Sequence, residues 1–322
     1  MERRALGATG LRVTPLGIGG GSLASMPETF GYAVPEAQAL ATIRAVFASP
    51  INFLDTAAAY GDGESERRIG LVLRERGGLP PGIVLSTKAD RNLQTGEYSG
   101  DQIKRSIERS MRLLGVDHLQ LVFLHDPEHT TFDNVMGRGG PLHILQRHQA
   151  DGVIDHLGVA GGPVDLLIRY VETKAFSAVV THNRYTLLNR CAEPLIARAN
   201  ELDVAVVNAA PYGSGILAKG PEAYPRYAYQ DAAGSVVERA HQMAALCRRY
   251  EVPLAAAALQ FSLRDPRIVS TIVGVSRPER VTETLALASH AIPEELWPQL
   301  DQFAEWTTDP EAARWAPSGT TP

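Results

Sequence analysis

The chain has 322 residues, 44% of them hydrophobic and 21% charged, with 31 Lys and Arg against 36 Asp and Glu. That composition excludes whole-chain disorder, and a net charge of −5 leaves no basic footprint for nucleic acid. Cys191 and Cys247 have no close Cys neighbour, MERRALGATG lacks the apolar run of a signal peptide, and no stretch nears the roughly 20 apolar residues that span a bilayer, so a cytoplasmic chain is expected.

The chain opens with RRALGATGLRV, whose Gly7-Ala8-Thr9-Gly10 reads as a hairpin turn placed to plug the bottom of a barrel. Eight short apolar, β-branched runs then recur: Leu16–Gly20, Ile51–Thr56, Ile83–Lys88, Leu119–His125, Ile154–Gly161, Ala178–His182, Val204–Ala209 and Ser270–Gly274. Continuous runs of this kind are what parallel strands buried on both faces require. Helical spacing fills the intervals at Pro35–Ser49, Ser65–Arg76, Gly100–Gly115, Val164–Lys174, Asn189–Leu202, Val236–Tyr250, Leu254–Arg264 and Pro278–His290. In the third of these, Ile103, Ile107, Met111 and Leu114 make one apolar stripe, with Asp101 as expected N-cap and Gly115 as the stop. Eight strand–helix alternations on this length favour an α/β fold of the (β/α)8 TIM barrel type with an N-terminal β-hairpin. One domain covers residues 1–322. Residues 310–322 read as a loose tail that Trp306 and Trp315 could anchor.

Active sites of such barrels lie at the C-terminal ends of the strands. The second strand ends in Asp55 with Tyr60 just beyond, the third ends in Lys88 and the fourth in His125. Adjacent strands sit about 4.8 Å apart, so an acid, a phenol, an ammonium and an imidazole can converge at one mouth. A phenol with a pKa near about 10 is brought down by a neighbouring ammonium, and the set then suits proton exchange with a carbonyl or hydroxyl oxygen. No nucleophile accompanies it, so a hydride carrier must come from elsewhere. Other signals are weaker. Gly17–Ser22 (GIGGGS) lacks a complete dinucleotide fingerprint, Pro127 breaks the metal-like spacing of His125 and His129 so that no metal is expected, and a Schiff-base role for Lys88 leaves Tyr60, Asp55 and His125 without purpose.

The segment FLDTAAAYGDGESERRIG (Phe53–Gly70), with Leu85–Lys88 and Asp117–Glu128, resembles the aldo-keto reductase family from about Arg4 to His290. His125-Asp126-Pro127-Glu128 and Arg184–Arg190 resemble its aldose 1-dehydrogenase branch, which includes L-fucose, L-galactose and D-threo-aldose dehydrogenases. The resemblance implies Tyr60 as general acid/base, Lys88 and Asp55 as its tuning pair, and His125 as the residue orienting substrate. It implies NAD or NADP extended across the mouth. His182, Asn183, Ala210, Tyr212, Gly213, Ser214, Gly215 and Leu217 would lie along the cofactor, with Ser276, Arg277, Arg280 and Glu283 at its adenosine end. Ser276 is also expected to cap the last helix. Phe30, Tyr60 and His125 are the expected substrate contacts. Phe30, Tyr32, Tyr224, Tyr227 and Tyr229, in the loops Met26–Val34 and Lys219–Ser235, could make a sugar-stacking wall. The third long loop is Pro127–Pro141, and Arg138 and Arg226 leave an anionic sugar open.

Departures from the family pattern fall at the nicotinamide. Its Ser-Asn pair is Ala160-Gly161 here, its Gln falls at His182, and its stacking Tyr falls at Ala209. A Lys that meets the 2′-phosphate falls at Gly274, which leans toward NAD, although Arg277 or Arg280 could hold that phosphate. The expected activity is oxidation of an aldose at C1 to the lactone. Reduction of a sugar aldehyde or other carbonyl is the alternative, and a nicotinamide-sensing binding subunit a further one.

Overall fold

A computed structural model describes residues 1–312. Its strands, in chain order, are β1 (Arg4–Ala5), β2 (Arg12–Val13), β3 (Leu16–Gly19), β4 (Phe53–Asp55), β5 (Val84–Ala89), β6 (Leu119–His125), β7 (Ile154–Ala160), β8 (Ala178–His182), β9 (Ala205–Ala209), β10 (Arg226–Tyr227), β11 (Gln230–Asp231) and β12 (Ile268–Gly274). Strands β3 to β9 pair in parallel in that order, and β12 closes the barrel between β9 and β3. Each of the eight expected runs forms one barrel strand.

Alternation along the strands divides the apolar residues between two cores. Phe53, Val84, Leu121, Phe123, Val180, Val207 and Ile272 fill the barrel. Their neighbours Leu54, Leu85, Val122, Leu124, Val179 and Val206 face the helices. The antiparallel β1–β2 hairpin brings Leu6 and Val13 into the inner core, so it plugs the bottom as expected. Gly158 gives Phe123 its room, since a Cβ there would stand 2.3 Å from the ring.

Helix boundaries depart from the sequence pattern where local polar contacts decide them. The helix Gly100–Leu114 is capped by Ser99, whose hydroxyl accepts from the Gln102 amide, rather than by Asp101. The helix expected from Asn189 begins at Glu193, because Asn189 is spent on the Cys191 amide and the Thr308 carbonyl. Ser276 caps nothing, for the last barrel helix starts at Glu279 behind Pro278 without a side-chain cap. The helix Pro141–Ala150 between β6 and β7 carries little signal in the sequence, its apolar positions being few and its flank glycine-rich. Among the described residues no helix is long and apolar enough to cross a membrane.

The stretch expected to be loose from Pro310 is docked over its first residues. Glu311 is buried and ion-paired to Arg184, 2.8 Å away, and its carboxylate lies 3.0 Å from His182 Nε2. Trp306 is half exposed, with the Arg190 guanidinium over its ring, and Trp315 lies outside the described residues.

Candidate active site

Parallel pairing of β4, β5 and β6 sets their last side chains side by side at the mouth. The Lys88 ammonium donates to Asp55 Oδ2 at 2.5 Å, to the Thr56 carbonyl at 2.8 Å and to Tyr60 Oη at 3.1 Å. Ser86 Oγ donates to the other Asp55 oxygen at 2.7 Å. The three donations from Lys88 fix its ammonium, which is only 2% exposed. The Tyr60 and His125 rings meet edge to face with centroids 5.8 Å apart. His125 Nδ1 is held at 2.6 Å by Asp90, whose second oxygen accepts the Ala59 amide at 2.8 Å. The four expected residues are therefore together, and Asp90 joins them. Asp90 stands two residues beyond Lys88, at a strand end, which was the only signal that could have found it.

The electrostatics follow from burial and charge. Burial pushes the Tyr60 phenol above its ordinary value, and the Lys88 ammonium pulls it down without reversing the shift. The expected lowering is thus met in sign but not in net. Burial disfavours the Lys88 charge, yet Asp55 and Tyr60 outweigh it and hold the ammonium above the usual lysine range. His125 is likewise raised: burial opposes its charge, and Asp126 and Asp90 overcome it.

A cavity of about 990 Å³ opens over these groups. Phe30, Tyr32, Tyr224 and Tyr229 line it, as do His182, Ala210, Tyr212, Ser214 and Gly215. At the far end it is lined by Ser276, Arg277 and Arg280. Asn183, Gly213 and Leu217 are buried behind this lining, and Glu283 stands outside it, tied to Arg280 at 3.0 Å and Arg277 at 3.4 Å. Tyr227 is buried too, donating to the Asn183 carbonyl at 2.8 Å. Phe30 contacts Tyr229 edge-on at 6.1 Å, and a Cβ on Gly21 would touch both Phe30 and Tyr60. Arg226 is occupied in donating to the Tyr229 carbonyl.

The chain after β9 turns tightly along the cavity. Ala210, Gly213, Ser214 and Gly215 all adopt positive φ, and a Cβ on Gly213 or Gly215 would strike the rings of Tyr227 or Tyr224. Lys219, Arg277 and Arg280 add positive charge along the same cavity. A dinucleotide with two phosphates fits this donor set. Ala160, Gly161 and Ala209, the positions at which the sequence departs from the expected nicotinamide contacts, line the cavity with small residues. Behind Gly161, Glu128 takes up the vacated volume: a Cβ on Gly161 would lie 2.7 Å from its Oε2. Burial and the neighbouring Asp126 push the Glu128 carboxyl up to about 7.

Comparison with known proteins agrees with this geometry. Residues 15–305 match the model of the aldo/keto reductase family. The chain belongs to the aldo/keto reductase family. It is 31% identical to pyridoxal 4-dehydrogenase of Microbacterium luteolum, over 93% of this chain and 96% of that one. It is 30% identical to D-threo-aldose 1-dehydrogenase of a Pseudomonas species, over 92% and 95%. It is 28% identical to L-galactose dehydrogenase of Arabidopsis thaliana, over 89% and 88%. Among solved structures, the holo form of an aldo-keto reductase from Bacillus halodurans superposes with a TM-score of 0.77 at 24% identity, covering 98% of this chain and 99% of that one. The protein is thus an NAD(P)-dependent oxidoreductase acting on a small molecule.

Proposed function

We propose that this aldo/keto reductase is an aldose 1-dehydrogenase, oxidising the anomeric carbon of a sugar to its lactone. The observation that carries this reading is the convergence of Tyr60, Lys88, Asp55 and His125 beneath a cavity walled by Phe30, Tyr229 and His182. A nicotinamide dinucleotide, held along Ala210–Gly215 and Ser276–Arg280, supplies the hydride acceptor. In its phenolate form, which the Lys88 ammonium favours through its 3.1 Å contact, Tyr60 Oη takes the proton of the C1 hydroxyl and becomes the neutral phenol. Asp55 fixes Lys88 against Tyr60, and His125, oriented by Asp90, bonds the same substrate oxygen through Nε2.

The relatives support oxidation at a hemiacetal carbon. Aldoses and pyridoxal share an aldehyde that closes on an internal hydroxyl, and oxidising the closed form gives a lactone. NAD is the proposed cofactor, because Glu283 already pairs Arg280 and Arg277 and opposes a further phosphate there.

Nicotinamide absorbance, followed with a panel of aldoses and with pyridoxal in both directions, tests the reading. Oxidation of an aldose with NAD is the expected result. Turnover confined to reduction of carbonyls would refute it. Tyr60→Phe should fold normally and lose at least about 100-fold in kcat, and near-wild-type turnover would refute the assignment of the base.

A further inference from the structure

We infer that Asp126 selects the substrate by accepting a hydroxyl on the carbon next to the one oxidised, which makes this a site for 1,2-dihydroxy compounds. The inference rests on the aldose reading. Asp126 comes directly after His125, and its carboxylate lines the cavity. Its Oδ1 stands 3.5 Å from His125 Nε2, the nitrogen opposite the one that Asp90 holds. That separation is too long for a strong hydrogen bond, so the carboxylate keeps acceptor capacity on the side where His125 meets substrate. A substrate oxygen bonded by His125 Nε2 would thus stand beside the Asp126 carboxylate, within reach of a hydroxyl on the neighbouring carbon.

The backbone is committed to this placement. Asp126 sits at φ +45°, ψ 54°, in the left-handed region that costs a non-glycine residue conformational energy. Its amide is pinned to the Ala160 carbonyl at 2.7 Å. The next turn, Pro127–His129, receives no cap from the Asp126 side chain, so local structure does not account for the aspartate. His182, His129 and Arg91 also line the cavity and bear electrostatically on the same carboxylate. Burial works against its charge, yet with His125 they hold it below the ordinary aspartate range. It is therefore an ionised acceptor throughout the neutral range, suited to a sugar hydroxyl.

The test compares Asp126→Asn and Asp126→Gly with wild type on three pairs: D-glucose, D-galactose and D-ribose, each beside its 2-deoxy analogue. Asn and Gly both tolerate positive φ, and a thermal melt checks folding. Wild type should favour the parent aldose over its deoxy analogue by about 10- to 100-fold in kcat/KM. In Asp126→Gly that preference should collapse toward unity, the parent losing about 10- to 100-fold more kcat/KM than its deoxy analogue, chiefly through KM. Asp126→Asn should fall between. An equal loss on both members of a pair would overturn the inference and leave Asp126 a support for His125. An undiminished preference would also overturn it. Wild-type turnover of none of the six sugars would overturn the aldose reading, and the inference with it.

Discussion

The Lys88–Asp55 pair can be separated into its contributions to stability and to turnover. Both side chains are nearly inaccessible, at 2% and 4% exposure. Lys88→Met removes the ammonium and leaves a buried carboxylate with only the Ser86 hydroxyl as partner. An uncompensated buried charge of this kind costs about 3–5 kcal/mol. The Thr56 carbonyl and Tyr60 Oη lose their donor in the same step. Adding Asp55→Asn removes the stranded charge, and the amide oxygen can still accept from Ser86. The double variant should therefore recover to within about 2 kcal/mol of wild type. Neither variant should regain turnover, because the phenol has lost the group that pulls its pKa down, a loss worth at least about 100-fold. Urea unfolding curves measure the first effect and steady-state kinetics the second. A single variant within about 1 kcal/mol of wild type, or a double variant no more stable than the single, would refute the reasoning.

Three further outcomes are expected from buried contacts. Gly70→Ala should lower stability by about 1–3 kcal/mol in urea unfolding, although alanine is the better helix former by about 1 kcal/mol, because the added Cβ would stand 2.0 Å from the Leu113 carbonyl oxygen. Glu66 is buried with Oε2 unpartnered, and burial pushes its carboxyl up to about 7 from 4.5 in the unfolded chain. Its contribution is full below the lower value and is lost as pH rises through the higher one, so wild type should lose about 3 kcal/mol relative to Glu66→Gln across that window, read from urea unfolding at both ends. Glu311→Ala leaves a fully buried Arg184 with Asp309 as its one carboxylate and removes the partner of the His182 ring; a loss of about 3 kcal/mol in thermal stability and a raised substrate KM are expected, and an unchanged melt would count against the docked segment.

The barrel was legible because its signal is repeated and local. Runs such as Leu119–His125 carry the strand signature in their own composition, and β6 matches that range residue for residue. The four converging residues were legible because each ends a strand or comes soon after one, so one-dimensional position fixes three-dimensional place. What escaped depends on contacts distant in the chain. Glu311 reaches Arg184 across 127 positions, and no periodicity announces that meeting. Glu128 occupies volume that opens only because Gly161 and Gly162 lack side chains on another strand's loop. The Ser99 cap displaced Asp101 because the hydrogen bond to the Gln102 amide, rather than residue preference, decides between near neighbours.

The Arg184–Glu311 pair also bears on how the protein is made. Synthesis runs from the N-terminus, so Arg184 leaves the ribosome long before its carboxylate partner does. Until Asp309 and Glu311 follow, its guanidinium has no carboxylate partner, and the loop after β8 that carries it is held by other contacts alone, such as that of Asn208 with the Tyr185 carbonyl. The mouth is therefore completed by a segment that follows every barrel strand in the chain. Chains cut before Asp309 would carry a closed barrel with an unfinished entrance.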